Sequence, residues 1–411
     1  MAAGKITNDS AVVIRALWRT PGMATILALS LLLGLGSSFV MPFMSLFGTK
    51  EVGMSPFGFG LFMTASSLSA IVISTRLARW SDTVASRRSM LLLGGVTGAI
   101  AYVGYGLSRD VWLLCVFATV FVGLSSVTFS QLFAYARDTL ERGGIEARQI
   151  PLYMNLVRLF FALAWTVGPA LGSLLVAQSF LISFLAAAGI EALFSLIVLL
   201  FVPHVQPSEV SKQAAQALPL RQAFRNPALI AHFLAFSLYF ACSTMGMMNL
   251  PLLLLHELGG SEQQIGIAYS IAPIFELPFM VYLGVLATRV RHERLVVLAM
   301  LLASFYYAGL SFAGAASHVY LLQIASAAVI AVMSGVAISF FQTFLPSQAG
   351  SATNLYSSAS RVGSMVGYIA FGSIAGALGH RVVFSVTAVA TLVSAAMVHL
   401  FRSTRVPRET S

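Results

Sequence analysis

The chain has 411 residues, of which 58% are hydrophobic and only 9% are charged, a composition outside the usual range of soluble globular domains. Its 24 Lys and Arg exceed its 14 Asp and Glu, which gives a formal net charge of +10. These basic residues form no clustered patch, which argues against nucleic-acid binding. A surplus of positive charge also suits a protein that lies against the anionic inner leaflet of a membrane.

Twelve long apolar stretches follow one another along the chain. Most of them are long enough to cross the hydrocarbon core of a bilayer, which takes about 20 helical residues. They comprise residues 22–47, 56–78, 90–108, 111–134, 151–177, 180–202, 228–256, 264–288, 295–313, 319–345, 354–377 and 382–401. We therefore predict an all-α membrane protein with twelve transmembrane helices.

The basic residues between these stretches predict the orientation. If the N-terminus is cytoplasmic, the cytoplasmic segments hold 19 Lys and Arg, whereas the opposite loops hold three: Lys50, Arg109 and Arg381. The positive-inside rule then places both termini in the cytoplasm. A cleaved signal peptide is not expected, because the first apolar stretch is too long and no small-residue cleavage site follows it.

The two halves of the sequence resemble each other. Glu51-Val-Gly before the second stretch matches Glu257-Leu-Gly before the eighth, at an offset of 206 residues. Arg88 and Arg294 keep the same offset. Matches that occur in order and in equivalent stretches indicate two homologous six-helix bundles.

The longest polar interval divides the twelve stretches six and six. We expect an N-terminal six-helix bundle at 1–202, a cytoplasmic linker at 203–227 and a C-terminal six-helix bundle at 228–411. Parallel repeats of this kind place the substrate path between the bundles, near the bilayer midplane.

A charged loop follows the second stretch. Asp82 is followed, after four intervening residues, by Arg87 and Arg88. An Asp before a basic pair resembles the conserved loop of the major facilitator superfamily, and this longer spacing resembles the bacterial sugar efflux transporter family. The segments at 131–134 and 163–169, QLFA and LAWTVGP, are similar to the same family.

This resemblance implies two pseudo-symmetric bundles of the major facilitator fold. It also implies secondary active export of sugars or small glycosides, by proton antiport and rocker-switch alternating access. The expected partners are the small-molecule substrate, protons and the lipid bilayer, in a bacterial plasma (inner) membrane, with the protein as a monomer. No cofactor and no metal are expected.

Other functions stay open at this point. The chain has 30 Phe and 16 Met, a content that also suits multidrug or amphiphile efflux by proton antiport. A transporter-derived sensor or scaffold is a further alternative. An enzyme is not expected, because the sequence has no phosphate loop, nucleophile elbow or metal-binding His/Cys spacing.

The charged loop is a candidate gate. By the resemblance, Asp82, Arg87 and Arg88 close the cytoplasmic side through ion pairs and a helix N-terminus, with Arg137 as a further partner. The alternative is a solvated loop that only sets the topology.

The fifth stretch contains a second candidate gating motif. Gly168 and Pro169 resemble the antiporter motif of the superfamily, although Ala164 stands where the common motif begins with Gly. Small residues let helices approach closely and Pro bends them, so this segment could seal the cavity against protons. The alternative is generic close packing of the helices.

Charges within the membrane are costly and are functional hypotheses by default. Arg158 and Asn155 share a face of the fifth helix and are candidates for binding sugar hydroxyl groups, unless Arg158 snorkels to the interface. Arg361 is the equivalent of Arg158 in the eleventh helix. Glu191, in a helix that is usually peripheral in the superfamily, is interpreted as structural.

Glu276 is the candidate proton-coupling residue. It lies between Pro273 and Pro278 near the middle of the eighth stretch. Because burial disfavours the charged form of a carboxylate, this side chain could bind and release a proton in each cycle. The alternative is a structural Glu between two helix-distorting prolines.

Sugar sites need aromatic faces and groups that form paired hydrogen bonds. Further candidates of this kind are Trp165, Tyr239, Asn249, Tyr269, Gln131 and Gln342. The two Gln side chains could face each other at the cytoplasmic mouth. Aromatic residues in membrane helices are more often packing or interfacial residues, which is the alternative for each of them.

Overall fold

The computed structural model describes residues 22–83, 86–146, 149–203, 227–345 and 349–401. Within these ranges, twelve helices are long and apolar enough to cross a membrane. They are α1 Met23–Glu51, α2 Pro56–Thr83, α3 Arg87–Leu107, α4 Val111–Arg142, α5 Ile150–Val176, α6 Phe180–Phe201, α7 Pro227–Glu257, α8 Glu262–Ala287, α9 His292–Ser311, α10 Ala316–Gln342, α11 Ala349–Leu378 and α12 His380–Leu400. The predicted twelve-helix membrane protein is confirmed.

Short polar residues set where several helices begin. The Ser86 side chain accepts a hydrogen bond from the backbone N–H of Ser89 at the start of α3, and the Asp110 carboxylate accepts one from Leu113 at the start of α4. Ser261 and Gln264 form a complete capping box on α8. These caps satisfy backbone donors that would otherwise have no partner at the end of an apolar helix.

By their internal contacts, the described residues form two compact units. The first unit contains residues 22–41 and 69–203, and the second contains residues 42–68 and 227–401, apart from the short undescribed gaps. The end of α1 and the first half of α2 thus group with the second unit. The predicted linker at 203–227 lies, except for its two end residues, outside the described residues.

The same packing scheme occurs in both units. In the first, α1 packs on α5 and α6, and α3 packs on α4 and α6. In the second, α7 packs on α11 and α12, and α9 packs on α10 and α12. Each pair in the second unit lies six helices after its equivalent, as expected for two pseudo-symmetric bundles.

Irregular turns repeat as well. α1 and α7 end in π-helical turns at Phe47–Glu51 and Leu253–Glu257. α4 and α10 are interrupted by π-helical turns at Phe117–Val122 and Val332–Val336. The first two turns start 206 residues apart, the same offset as the sequence matches, so the internal repeat includes the local distortions of the helices.

Five helices contribute to the apolar core of the first unit. Fully buried members are Leu29 of α1, Leu91 of α3, Leu132 of α4, Val157 of α5 and Phe194 of α6. This core fixes the relative positions of α3, α4 and α5, which carry most of the predicted site residues of this unit.

Candidate functional site

Arg87 lies at the centre of a buried polar network. Its Nε is 3.2 Å from Oδ2 of Asp138, and its Nη1 donates to Oε1 of Gln131 at 3.0 Å. The side chains of Arg87 and Asp138 are only 2% and 0% exposed. The predicted gating residue Arg87, at the start of α3, is therefore hydrogen-bonded to the predicted substrate residue Gln131 on α4.

Asp138 was missed by the sequence reasoning. It lies seven residues after Gln131 on α4, so the two side chains are on one face of the helix. That spacing, with a basic residue at the start of the preceding helix, is the signal that could have found it. The side chain of Asp82, the predicted partner in the loop, lies outside the described residues.

The other two predicted gating arginines have different partners. Arg88 donates from Nη2 to the backbone carbonyl of Leu199, near the end of α6, at 2.6 Å. Arg137 pairs with Glu141 one turn later on α4, at 2.9 Å, and is about half exposed. The structure thus places Arg137 in an ion pair within its own helix.

Glycines bring α1 and α5 into close contact. A Cβ atom on Gly168 would collide with the Ser38 side chain, and one on Gly172 would meet the backbone of Phe39. The motif position occupied by Ala164 is accommodated because Gly34 lies directly opposite on α1. The buried segment with Gly168 and Pro169 is therefore packed against α1 along its length.

A polar stripe runs along α5. Asn155, Arg158 and Trp165 are separated by three and seven residues and so share one face of the helix. Asn155 and Arg158 are exposed, and the Arg158 guanidinium carbon is 5.9 Å from the ring centre of Phe133. The indole N–H of Trp165 is buried and has no hydrogen-bond partner among the described residues.

Glu276 lies in α8 between two prolines that are inside the helix. Its side chain is half-buried, and no hydrogen bond or ion pair of its carboxylate occurs in the described part of the chain. Pro273 and Pro278 each lack a backbone donor, so the helix is locally weakened on both sides of the carboxylate.

The remaining predicted substrate residues are engaged within the second unit. The Tyr269 hydroxyl donates to the carbonyl of Met247, and Gln342 donates to Oγ1 of Thr353 at 3.2 Å. Tyr239 is buried, with its ring edge-on to Phe240 at 5.3 Å.

Asn249 is wholly buried and joins α7 to α12. Its Nδ2 donates to the backbone carbonyl of His380 at 2.8 Å, and its Oδ1 lies 2.8 Å from Nδ1 of the same residue. Both ends of the amide are thus occupied in this structure.

The first half of α2 forms a tight seam with α11. A Cβ on Gly60 would collide with the carbonyl of Tyr368, and one on Gly372 would collide with the carbonyl of Pro56. The Thr64 hydroxyl donates to the carbonyl of Met365 at 3.4 Å. A separate, exposed ion pair joins Lys50, at the end of α1, to Glu262, at the start of α8, at 3.3 Å.

A cavity of about 480 Å³ opens beside α8 within the second unit. It begins at Met280, one turn after Glu276, and its polar lining groups are Thr288, His292 and Ser339. Among the described residues, no group of three or more His, Cys, Asp or Glu is arranged to hold a metal ion.

Comparison with known proteins identifies the family. The family model of the Major Facilitator Superfamily matches residues 26–349 and 233–411. The chain belongs to this superfamily. A relative from Deinococcus radiodurans is 34% identical over 92% of this chain and 97% of its own length.

Two other relatives are named sugar efflux transporters. Sugar efflux transporter A of Dickeya chrysanthemi is 31% identical over 85% of this chain and 87% of its own, and sugar efflux transporter A of Escherichia coli K12 is 28% identical over 90% and 94%. These relatives are transporters and not enzymes, and the predicted membership of the bacterial sugar efflux transporter family is confirmed.

A solved structure supports the fold. The crystal structure of the nucleoside transporter NupG superposes with a TM-score of 0.77, at 15% identity, and the match covers 93% of this chain and 99% of that one. This multi-pass membrane protein therefore has the major facilitator fold.

Proposed function

We propose that this protein exports sugars or small glycosides in exchange for protons, by alternating access of two bundles in a bacterial inner membrane. The substrate class rests on the relatives that are named sugar efflux transporters. Proton exchange rests on one observation in the structure: the half-buried Glu276 carboxylate, which lacks an ion-pair partner among the described residues. Both termini lie in the cytoplasm, by the excess of basic residues, and the protein acts as a monomer.

The polar stripe of α5 binds the substrate in this proposal. The Arg158 guanidinium offers several donors in a fixed plane, and the Asn155 amide both donates and accepts. The Trp165 ring offers a flat apolar face with a donor at its edge, the type of group that stacks on a sugar ring. These three residues supply the aromatic and bidentate groups that a sugar site needs.

Glu276 carries the proton. Without a counter-charge, the partly desolvated carboxylate favours the neutral acid, whereas wetting of the site favours the carboxylate. A change of access during the transport cycle would therefore change its proton occupancy. The cavity that begins at Met280, one turn after Glu276, is the proposed route by which water approaches this residue, because its polar lining groups Thr288, His292 and Ser339 lie towards the end of α8.

The seam between α2 and α11 is proposed to be a gate that is closed in this state. Backbone contacts at Gly60 and Gly372 leave no space for a solute to pass between these two helices. Alternating access requires that one side of the transporter opens while the other closes, so these contacts must separate during the cycle.

Amphiphile efflux is the second candidate. An aromatic cluster adjoins Arg158: the Phe129 ring is 4.7 Å from that of Phe133 and 5.3 Å from that of Phe161, centre to centre. A surface of this kind could also accept an apolar ring of a drug-like molecule.

Transport by purified protein in liposomes tests the proposal. We would measure uptake of labelled lactose and glucose analogues under an imposed pH gradient, for wild type, Glu276→Gln and the control Glu146→Gln, at an exposed position between α4 and α5. We expect Glu276→Gln to lose gradient-driven uptake but to retain substrate counterflow, which needs no net proton movement.

Each other outcome changes the proposal in a defined way. Unchanged gradient-driven uptake in Glu276→Gln would remove this residue as the proton carrier and leave sugar transport intact. Absence of sugar uptake by the wild type, together with uptake of a lipophilic cation, would replace the sugar by an amphiphile.

A further inference from the structure

Glu191 of α6 is a second carboxylic acid within the membrane, and it lies in the first unit. The residue is only 4% exposed, and its Oε2 has no hydrogen-bond partner among the described residues. Buried carboxylates are usually paired or hydrogen-bonded, because an isolated buried charge is very costly. A purely structural role for Glu191 does not explain why a buried carboxyl oxygen has no hydrogen-bond partner in the described part of the chain.

Two glycines and one hydroxyl surround the carboxyl group. A Cβ on Gly36 of α1 would lie 3.1 Å from Oε1, and one on Gly98 of α3 would lie 3.3 Å from Oε2. The carboxyl group therefore sits between the bare backbones of two helices. The same Cβ position on Gly98 is 2.8 Å from Oγ of Ser125 on α4, so the hydroxyl and the carboxyl group flank one glycine.

No charge compensates Glu191 in the described part of the chain. The titratable group coupled to it is the Tyr102 phenol on α3, and a phenol O–H provides no positive charge to compensate a carboxylate. The facing residues on α1 and α4, Gly36 and Ser125, do not titrate. The side chain is therefore stable in this environment as the neutral acid, and ionisation requires that water or a new partner reaches it.

Ser125 provides the connection to a deformable segment. It is the third residue after the π-helical turn Phe117–Val122, where α4 departs from regular geometry. Such turns often occur at functional sites, because they change the local register of a helix. A shift of α4 at this turn would move the hydroxyl towards or away from the carboxyl group.

We propose that Glu191 is a proton-binding site of the first unit, which exchanges its proton through the Ser125 side of the α3–α4 contact. The role of this proton in transport rests on the proposed proton antiport, whereas the binding of a proton to Glu191 does not. The first unit then carries one exchangeable acid, Glu191, and the second carries another, Glu276.

Infrared spectroscopy of the purified full chain in lipid tests this site directly. At neutral pH we expect the C=O band of a protonated carboxylic acid in the wild type, with the Glu191 contribution lost in Glu191→Gln. We also expect that band to shift in D₂O, which shows exchange with solvent. Ser125→Ala should slow the exchange, whereas Ser130→Ala, whose hydroxyl is bonded to the carbonyl of Val127 on the same helix, should not.

The outcomes separate this proposal from the proposed function. A protonated-acid C=O band unchanged in Glu191→Gln would show that Glu191 is ionised and would overturn the proposal. A Glu191 band that does not shift in D₂O would make the acid a sealed structural group, which overturns it as well. If Glu191→Gln does not fold, Glu191→Asp serves instead, with the expectation of a displaced but still exchangeable band. Loss of all sugar transport in the wild type would affect the proposed function and not the band.

Discussion

The two halves of the chain share their helix packing but carry opposite charges at one equivalent position. Arg87 at the start of α3 corresponds, at the offset of 206 residues, to Glu293 at the start of α9. Arg87 is buried against Asp138, whereas Glu293 pairs with the largely exposed Arg291 at 2.9 Å. The repeat therefore preserves the helix packing while the charge at this position is reversed, although the next position keeps its charge as Arg88 and Arg294.

The glycine contacts also differ between the halves. In the α1–α5 contact, Gly34 of one helix and Gly168 of the other both make room for the partner. In the equivalent α7–α11 contact, Gly363 and Gly367 of α11 pack against the backbone carbonyls of Ser237 and Ala241. Small residues thus lie on both helices of the α1–α5 contact, whereas α11 supplies them in the α7–α11 contact. Glycine substitutions should therefore affect the two contacts differently.

Removal of the buried charge should have the largest effect. Arg87→Ala removes the cation that lies 3.2 Å from the buried Asp138 carboxylate, and breaking a buried ion pair in this way should cost about 3–5 kcal/mol of unfolding free energy. Arg291→Ala removes the cation of the ion pair in the other half; because Arg291 is 60% exposed while Glu293 is only 10% exposed, this change should cost less than Arg87→Ala, about 1–3 kcal/mol. Thermal unfolding of the purified variants in detergent measures both.

A double variant sharpens this comparison. In Arg87→Ala combined with Asp138→Asn, the buried charge is absent, so stability should be partly restored relative to Arg87→Ala alone. Equal losses in Arg87→Ala and Arg291→Ala would contradict the asymmetry of the two halves.

The repeat-related arginines of α5 and α11 should differ in substrate binding. Arg158→Ala should raise KM roughly 10- to 100-fold, since hydrogen bonds from a charged donor contribute about 1.5–3 kcal/mol. Arg361→Ala, at the equivalent position, is the matched control and should change KM less. Initial rates of counterflow in liposomes give both values, and an equal rise in KM would show that the two halves bind substrate symmetrically.

Glycine substitutions should distinguish the two helix contacts by a smaller margin. Gly363→Ala forces a Cβ against a backbone carbonyl and should cost about 1–3 kcal/mol, because overpacked cores must shift. Gly168→Ala collides with the Ser38 side chain instead, so Ser38→Gly should relieve part of its cost. Unfolding temperatures of the single and double variants test this, and a double variant as unstable as the sum of its parts would refute it.

The smallest effect is expected at the exposed ion pair between the end of α1 and the start of α8. Lys50 is 52% exposed, so Lys50→Ala should change the stability of this contact by at most about 1 kcal/mol. Because salt screens exposed charges, wild type and variant should converge in transport rate as ionic strength rises. A difference in transport rate that persists at high salt would show that the ion pair stabilises this contact more than its exposure predicts.

The twelve membrane helices and the family were accessible from the sequence for simple reasons. Apolar length is a local property, so the twelve helices could be located and are confirmed. The loop with Asp82, Arg87 and Arg88 also has a local spacing, and the membership that it predicts is confirmed.

The side-chain partners could not be predicted in the same way. Arg87 meets Asp138 across 51 residues, and Asn249 meets His380 across 131. Neither pairing is encoded in the periodicity of a single helix, because each depends on which faces of two helices come together. The roles of Glu276 and Arg158 stay predictions.

The Gly34–Ala164 contact bears on how sequence motifs are defined. A pattern written along one helix scores position 164 as a mismatch, although the space that the pattern encodes is present in the molecule. The physical requirement is one missing side chain per contact, and either helix can meet it. A search that scores such positions as pairs, one from α1 and one from α5, would recognise transporters that a search along α5 alone rejects.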